Sequence, residues 1–358
     1  MPAASSSGAE GQARPPAAAV VGVAGPQLTA AERRLIEAGR PFGFILFARN
    51  CVSRSQVRRL VDDLRVAAGR PGAPVLIDQE GGRVMRLCPP HWPPRSALRA
   101  IGRLAERDPD AGREAAWLHA RLIAADLAAL GITVDCAPVL DLALPGRSPA
   151  IGDRALSADP ALVGQLGRAL IDGFLAGGVL PVIKHLPGQG RARTDSHLTL
   201  PVVAAAAPLL RATDWQPFRV CRAAPFAMTA HVLFPALDPE WPATLSARVI
   251  GEVIRGELGV TGALLSDDLS MGALSGSLGE RTAAARAAGC DLALHCNGRH
   301  HEMVEVLAAA GPLEGAAAAR CRRALDQLRP ATPLDLPQAE ARLDALLSRV
   351  EPALAPGV

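Results

Sequence analysis

Eight short apolar runs recur along the chain, at residues 17–25, 42–49, 74–79, 133–139, 180–186, 226–232, 262–268 and 292–297. Each is nearly continuous in apolar character, as a strand buried on both faces should be. Amphipathic stretches lie between them and carry helix punctuation. Thr29-Ala-Ala-Glu32 reads as a helix cap. Residues 53–69 open on Ser53 and close on Gly69, residues 108–131 run from Asp108-Pro109 to Gly131, and a third pattern opens on Ser246 and stops at Gly259. Two further helical patterns, 299–311 and 314–328, follow the last run. Eight β–α alternations predict an α/β fold, a single (β/α)8 TIM barrel. An open doubly wound sheet fits less well, because no GxGxxG follows the first run.

No linker or second composition zone divides the chain. The expected organisation is a disordered N-terminal extension at 1–16, a catalytic barrel at 17–335, and a C-terminal helix and tail at 336–358. A hydrophobic content of 49% over 358 residues supports a large core. Charge is balanced, 38 basic residues against 35 acidic. That leaves no footprint for nucleic acid, and no run reaches the length of a membrane span. The apolar run at 17–25 has no basic segment before it and leads into the capped helix, so it reads as a strand, not a signal-peptide core. A cytoplasmic location and a monomer are expected. The seven cysteines are odd in number and lack CxxC zinc spacing, so they read as buried small hydrophobes in a reducing compartment.

The chemistry-bearing residues cluster at one end of the predicted strands. Asp78 to Arg83 end the third run, Asp135 lies in the fourth and Asp141 follows it, and Lys184-His185 end the fifth. Thr229 and His231 end the sixth, Ser266-Asp267-Asp268 the seventh, and His295 and Asn297 the eighth. In a barrel these ends and the loops beyond them build the active site. Lys184 is the only lysine among the 38 basic residues. The residues alone leave it three roles: a salt bridge, a Schiff base, or a point charge that binds substrate. Asp195 and His197 stand two apart; in an extended segment both would point the same way, letting the carboxylate orient the imidazole. Asp267 suits a nucleophile or a cation stabiliser, whereas Asp268 should brace a loop. No HxH or HExxH spacing favours a metal.

Together the stretches GFILFARN, LIDQEGGRVMRL, IGDRALSADP, KHLPGQGRARTDSH, MTAHVLFPALDPEWPATLS, GALLSDDLSMGAL and AGCDLALHCN form an ordered set from about residue 20 to residue 300. The chain resembles the β-N-acetylhexosaminidases of glycoside hydrolase family 3, in their short, cytoplasmic, cell-wall-recycling form. The resemblance implies a (β/α)8 barrel and no cofactor. It implies that Asp267 is the nucleophile and His197 the general acid/base with Asp195 as partner. It also implies that Asp78, Arg86, Arg154, Lys184 and His185 hold the N-acetylglucosamine unit. The implied substrate is a muropeptide, N-acetylglucosamine β-1,4-linked to 1,6-anhydro-N-acetylmuramic acid, cleaved with retention. Arg191 and Arg193 are candidates to meet the lactyl carboxylate of the leaving sugar. One departure stands out: Gln189 occupies a position where the family usually has histidine. It keeps open a catalytically impaired sugar-binding regulator, and a histidine acid/base keeps open phosphorolysis.

Overall fold

The computed structural model describes residues 14–146 and 148–350; most of the expected N-terminal extension and the end of the C-terminal tail lie outside them. The first half of the chain runs β1 (Ala17–Gly22), α1 (Ala30–Gly39), β2 (Pro41–Leu46), α2 (Arg54–Ala68), β3 (Val75–Ile77), α3 (Leu98–Arg107), α4 (Pro109–Ala128), β4 (Val134–Asp135), α5 (Pro160–Ala176) and β5 (Leu180–Leu186). It continues through α6 (Ala207–Ala212), α7 (Trp215–Val220), β6 (Phe226–Thr229), β7 (Ala263–Asp268), α8 (Leu278–Ala288), β8 (Leu292–His295), α9 (His300–Ala309), α10 (Gly315–Leu325) and α11 (Leu336–Leu347). The eight strands pair in parallel and in sequence order, and β8 returns to β1, closing the barrel.

The period of two along each strand divides the core into two layers. Ala18, Val20, Ile45, Leu76, Val134, Cys136, Val182, Phe226, Met228, Leu265 and Leu294 belong to one buried cluster. Ile45, Met228 and Leu294 also line the large cavity described below, so this cluster is the barrel interior. Alternate residues such as Ala19, Val21, Phe44, Val75 and Ile183 join the helices in the second cluster. Both faces of each strand are therefore apolar, which is why the runs show little alternation.

The local signals act as their chemistry demands. Thr29 Oγ1 accepts the Glu32 N–H at 3.1 Å while Glu32 accepts the Thr29 N–H at 2.9 Å. Ser53 Oγ accepts the Gln56 N–H at 3.3 Å, and Gly69 closes α2 at φ 63°. Helices α3, α5, α6, α7 and α8 have no counterpart among the patterns picked out above. The stretch after Ser246 is helical but π-wound over Val249–Glu257, with the Leu258 N–H bonded to Val253 O five residues back. Its buried positions Val249, Ile250, Val253 and Ile254 suit either winding, so an apolar pattern does not separate the two. Strand register shifts between Ala17 and Val20 of β1 and again near the C-terminal ends of β5 and β7, the last two beside the polar residues.

Candidate active site

A cavity of about 340 Å³ opens at the C-terminal end of the barrel. Its lining includes Asp78, Arg86, Arg154, Lys184, His185, Asp195, His197 and Asp267. All eight site residues expected from the sequence therefore meet in one place, drawn from the ends of four strands, β3, β4, β5 and β7, or the loops that follow.

The floor is a charge network. Lys184 Nζ lies 2.9 Å from Asp78 Oδ1 and 2.6 Å from Glu80 Oε1. Arg86 donates to Asp78 Oδ2 at 3.2 Å, and Arg154 grips Glu80 with two bonds of 2.8 and 2.7 Å. Two carboxylates thus face three cations. Burial alone would raise the carboxyl of Asp78, yet the nearby Lys184 and Arg86 charges hold it well below the usual range. Glu80 faces the same opposition and settles at about 2, held there by Lys184 and Arg154. Burial favours a neutral Lys184, but Asp78 and Glu80 outweigh it and raise its pKa. A Schiff-base lysine must become a neutral amine, and the paired carboxylates of Asp78 and Glu80 disfavour that form of Lys184.

Glu80 lies in the Asp78–Arg83 strand end and carries no assigned role in the sequence reading, yet it is the hub of the network. Its carbonyl oxygen accepts the Nε2–H of His119, a buried α4 histidine that burial lowers to about 4 and so keeps neutral. Gln79, in the same strand end, carries no assigned role there either. Its Oε1 accepts the backbone N–H groups of Arg86 and Leu87 at 2.8 and 3.0 Å, and its Nε2 donates to Leu87 O. These bonds fold the loop back so that Arg86 returns to Asp78. The turn requires its glycines: at Gly81, with φ 100°, a Cβ would stand 2.3 Å from Ser96 O. Arg83 pins the opposite wall through Asp153 and the carbonyls of Pro149, Ala150 and Ile151.

At the end of β5, His185 Nδ1 lies 2.6 Å from Asp141 Oδ2, leaving Nε2 without a protein partner among the described residues. Asp267, at the end of β7, accepts the Asp268 N–H at 2.8 Å. Burial raises its carboxyl, but His231, His185 and that N–H bring the balance below the ordinary value, so Asp267 is an anion. Asp268 braces its loop, accepting from Ser270 twice and from the Cys296 N–H. His231 is no ligand candidate: it is buried, its Nε2 donates to Asp268 O, and its Nδ1 lies 2.7 Å from the Thr244 hydroxyl.

Asp195 and His197 do pair, though not as an extended segment. Residues 196–198 form a turn in which Asp195 Oδ1 accepts the His197 N–H at 2.9 Å and meets ring Nδ1 at 2.7 Å. Side chains two apart on a strand would stand too far apart for that bond; an Asx-type turn closes the gap. Nδ1 thereby carries a proton, and Nε2 is free to exchange one. Burial raises Asp195, but both bonds from His197 lower it further, keeping it ionised. The loop is docked on the segment beyond β7, where the Gly272 and Ala273 N–H groups donate to the carbonyls of His197 and Ser196.

The pair of arginines proposed for the leaving group does not stay a pair. Arg191 is bonded to Asp214 at 2.7 Å and to Thr213 at 3.0 Å, facing a buried carboxylate that holds it away from the cavity. Arg193 is exposed and forms no ion pair among the described residues. Those residues include no group of three or more His, Cys, Asp or Glu side chains suited to a metal. No helix among them is long and apolar enough to cross a membrane.

The closed parallel barrel thus gathers an ionised aspartate, an Asp–His pair and a lattice of fixed charges in one cavity, groups of the kind glycoside hydrolases use. The chain matches the Glycosyl hydrolase family 3 N terminal domain over residues 18–325, and it belongs to that family. Within the family it is a NagZ-like β-N-acetylhexosaminidase. It is 43% identical over 292 residues to a β-hexosaminidase of Alkalilimnicola ehrlichii, covering 80% of this chain and 81% of that one. It is 38% identical over 287 residues to a β-hexosaminidase of Bordetella avium, covering 79% and 81%. Among solved structures it resembles NagZ from Neisseria gonorrhoeae in complex with N-trifluoroacetyl-D-glucosamine, with a TM-score of 0.83 at 28% identity over 94% of this chain and 99% of that one.

Proposed function

We propose that the enzyme is a retaining β-N-acetylglucosaminidase that releases N-acetylglucosamine from muropeptides during peptidoglycan recycling in the cytoplasm, acting as a monomer. The observation that carries this reading is the shared cavity. An anionic Asp267, a histidine with one free nitrogen, and Asp78, Lys184, Arg86 and Arg154 all face it, with Glu80 pairing Lys184 and Arg154 from behind. The Neisseria neighbour holds an N-acylated glucosamine analogue, which supports the same sugar here.

In the first step an Asp267 oxygen attacks the anomeric carbon. The glycosidic C–O bond breaks, and His197 Nε2 gives its proton to the departing oxygen. In the second, water loses a proton to His197 and attacks the same carbon, which releases Asp267. Two inversions retain the β configuration. Asp195 holds the ring in the required tautomer and stabilises its protonated form. Asp78, Arg86, Arg154, Lys184 and His185 hold the hydroxyl and acetamido groups, and their mutual ion pairs set their positions before substrate arrives. Arg193 takes up the lactyl carboxylate.

Hydrolysis of p-nitrophenyl β-N-acetylglucosaminide, followed by NMR of the first anomer released, tests the reading. β-Product, abolished in Asp267→Ala and unchanged by added phosphate, is expected. α-Product would overturn retention, and a sugar phosphate would show phosphorolysis. Turnover of the disaccharide bearing anhydro-N-acetylmuramic acid tests the substrate, and sedimentation tests the monomer.

A further inference from the structure

Gln189 is buried, with 3% of its surface exposed, and is held at two points. Its backbone N–H donates to Asp141 Oδ1 at 2.5 Å, the carboxylate whose other oxygen meets His185 Nδ1. Its side-chain Nε2 reaches Ser196 Oγ at 3.2 Å. Ser196 lies between Asp195 and His197 and is itself buried, with 2% exposed, while His197 is open. The flanking glycines admit this inward path. Gly188 has φ 124°, and a Cβ at Gly190 would stand 2.5 Å from Leu142 O. Gln189 Oε1 has no partner among the described residues. A buried unpaired acceptor destabilises a fold, so an apolar filler would suit this position better if space-filling were its only task.

We infer that Gln189 is a positioning residue for the acid/base: through Ser196 it seats the Asp195–His197 turn against the barrel, in register with the His185 that faces the sugar. One carboxylate, Asp141, thereby links the side that grips substrate to the side that moves the proton. The inference rests on the reading of His197 as acid/base.

The test compares kcat/KM for two aryl β-N-acetylglucosaminides in the full chain. The 2,4-dinitrophenolate group departs without a proton; the phenolate group needs one. Gln189→Ala and Ser196→Ala should each lose at least about tenfold on the phenyl substrate and less than about threefold on the dinitrophenyl one, because only proton delivery is disturbed. The double variant should be no worse than the poorer single one, as two halves of one contact. Both substrates are read on the same folded enzyme, so the ratio is insensitive to partial unfolding; Ser196→Ala decides the matter if Gln189→Ala does not fold. Equal losses on both substrates, or no loss on the phenyl one, overturn the inference. His197→Ala separates the layers. If it shows the selective loss and the Gln189 and Ser196 variants do not, only the positioning role fails. If His197→Ala loses both substrates equally, the acid/base reading fails and the inference with it.

Discussion

Glu80 shows how much one buried carboxyl can organise. Its depressed pKa means the folded state favours the anion more than the unfolded chain does. The stability it contributes is fully present above the ordinary carboxylate value near 4.5 and is lost as pH falls from there through about 2. The melting temperature of the wild type should therefore drop across that window. In Glu80→Gln the drop should be smaller, from a lower starting point, because Lys184 and Arg154 lose a buried counter-charge. Thermal melts from pH 6 to pH 2 check this; parallel curves for the two proteins would refute it. Arg193→Ala gives a second expectation at this scale. KM should rise several-fold for the substrate with a lactyl carboxylate and stay unchanged for the p-nitrophenyl glycoside, while Arg191→Ala should lower the melting temperature instead. Steady-state kinetics on both substrates separate the two arginines.

At the scale of elements, the loop bearing Asp195 and His197 leans on the turn after β7. A Cβ at Gly272 would stand 2.9 Å from His197 O and 2.8 Å from Leu198 O, so the loop backbone must move. Gly272→Ala should lower kcat by about tenfold or more, since small displacements of a catalytic group are costly. KM for N-acetylglucosaminides should change little, because the charge network around Lys184, proposed to hold the sugar, is anchored elsewhere. A rise in KM alone would contradict the docking described here. This scale also shows what was legible in advance. Thr29-Glu32, Ser53 and Gly69 act within a few residues of chain, and strand-end placement put Asp78, Lys184 and Asp267 at one barrel mouth. Glu80, Gln79 and Asp141 matter through partners up to 104 positions away, as between Glu80 and Lys184, and no short pattern carries such a pairing. Arg191 looked available because the carboxylate that claims it, Asp214, lies 23 residues further on.

Across the whole molecule, the barrel is closed by hydrogen bonds and α11 is fastened to its outside. Ala339, Leu343, Leu346 and Leu347 of α11 are buried. Its charged residues reach neighbouring elements, Arg342 to Glu114 with two bonds and Glu340 to Arg95, while Arg349 just beyond it reaches Asp108. The apolar face should dominate. Leu346→Ala should cost about 2–5 kcal/mol, whereas Arg342→Ala, at an exposed pair, should shift the unfolding midpoint far less. Urea unfolding of both variants measures the difference, and the reverse order would assign the docking to charge.

The burial of Lys184 has a practical consequence for the whole surface. With that side chain 3% exposed between two carboxylates and no second lysine in the chain, the folded protein offers amine-reactive reagents no readily accessible side-chain target. An N-hydroxysuccinimide ester should leave Lys184 unmodified while its ion pairs with Asp78 and Glu80 hold. Acylation at that one position, read by peptide mass, then becomes a clock for loosening of that charge network, and bound sugar should slow it.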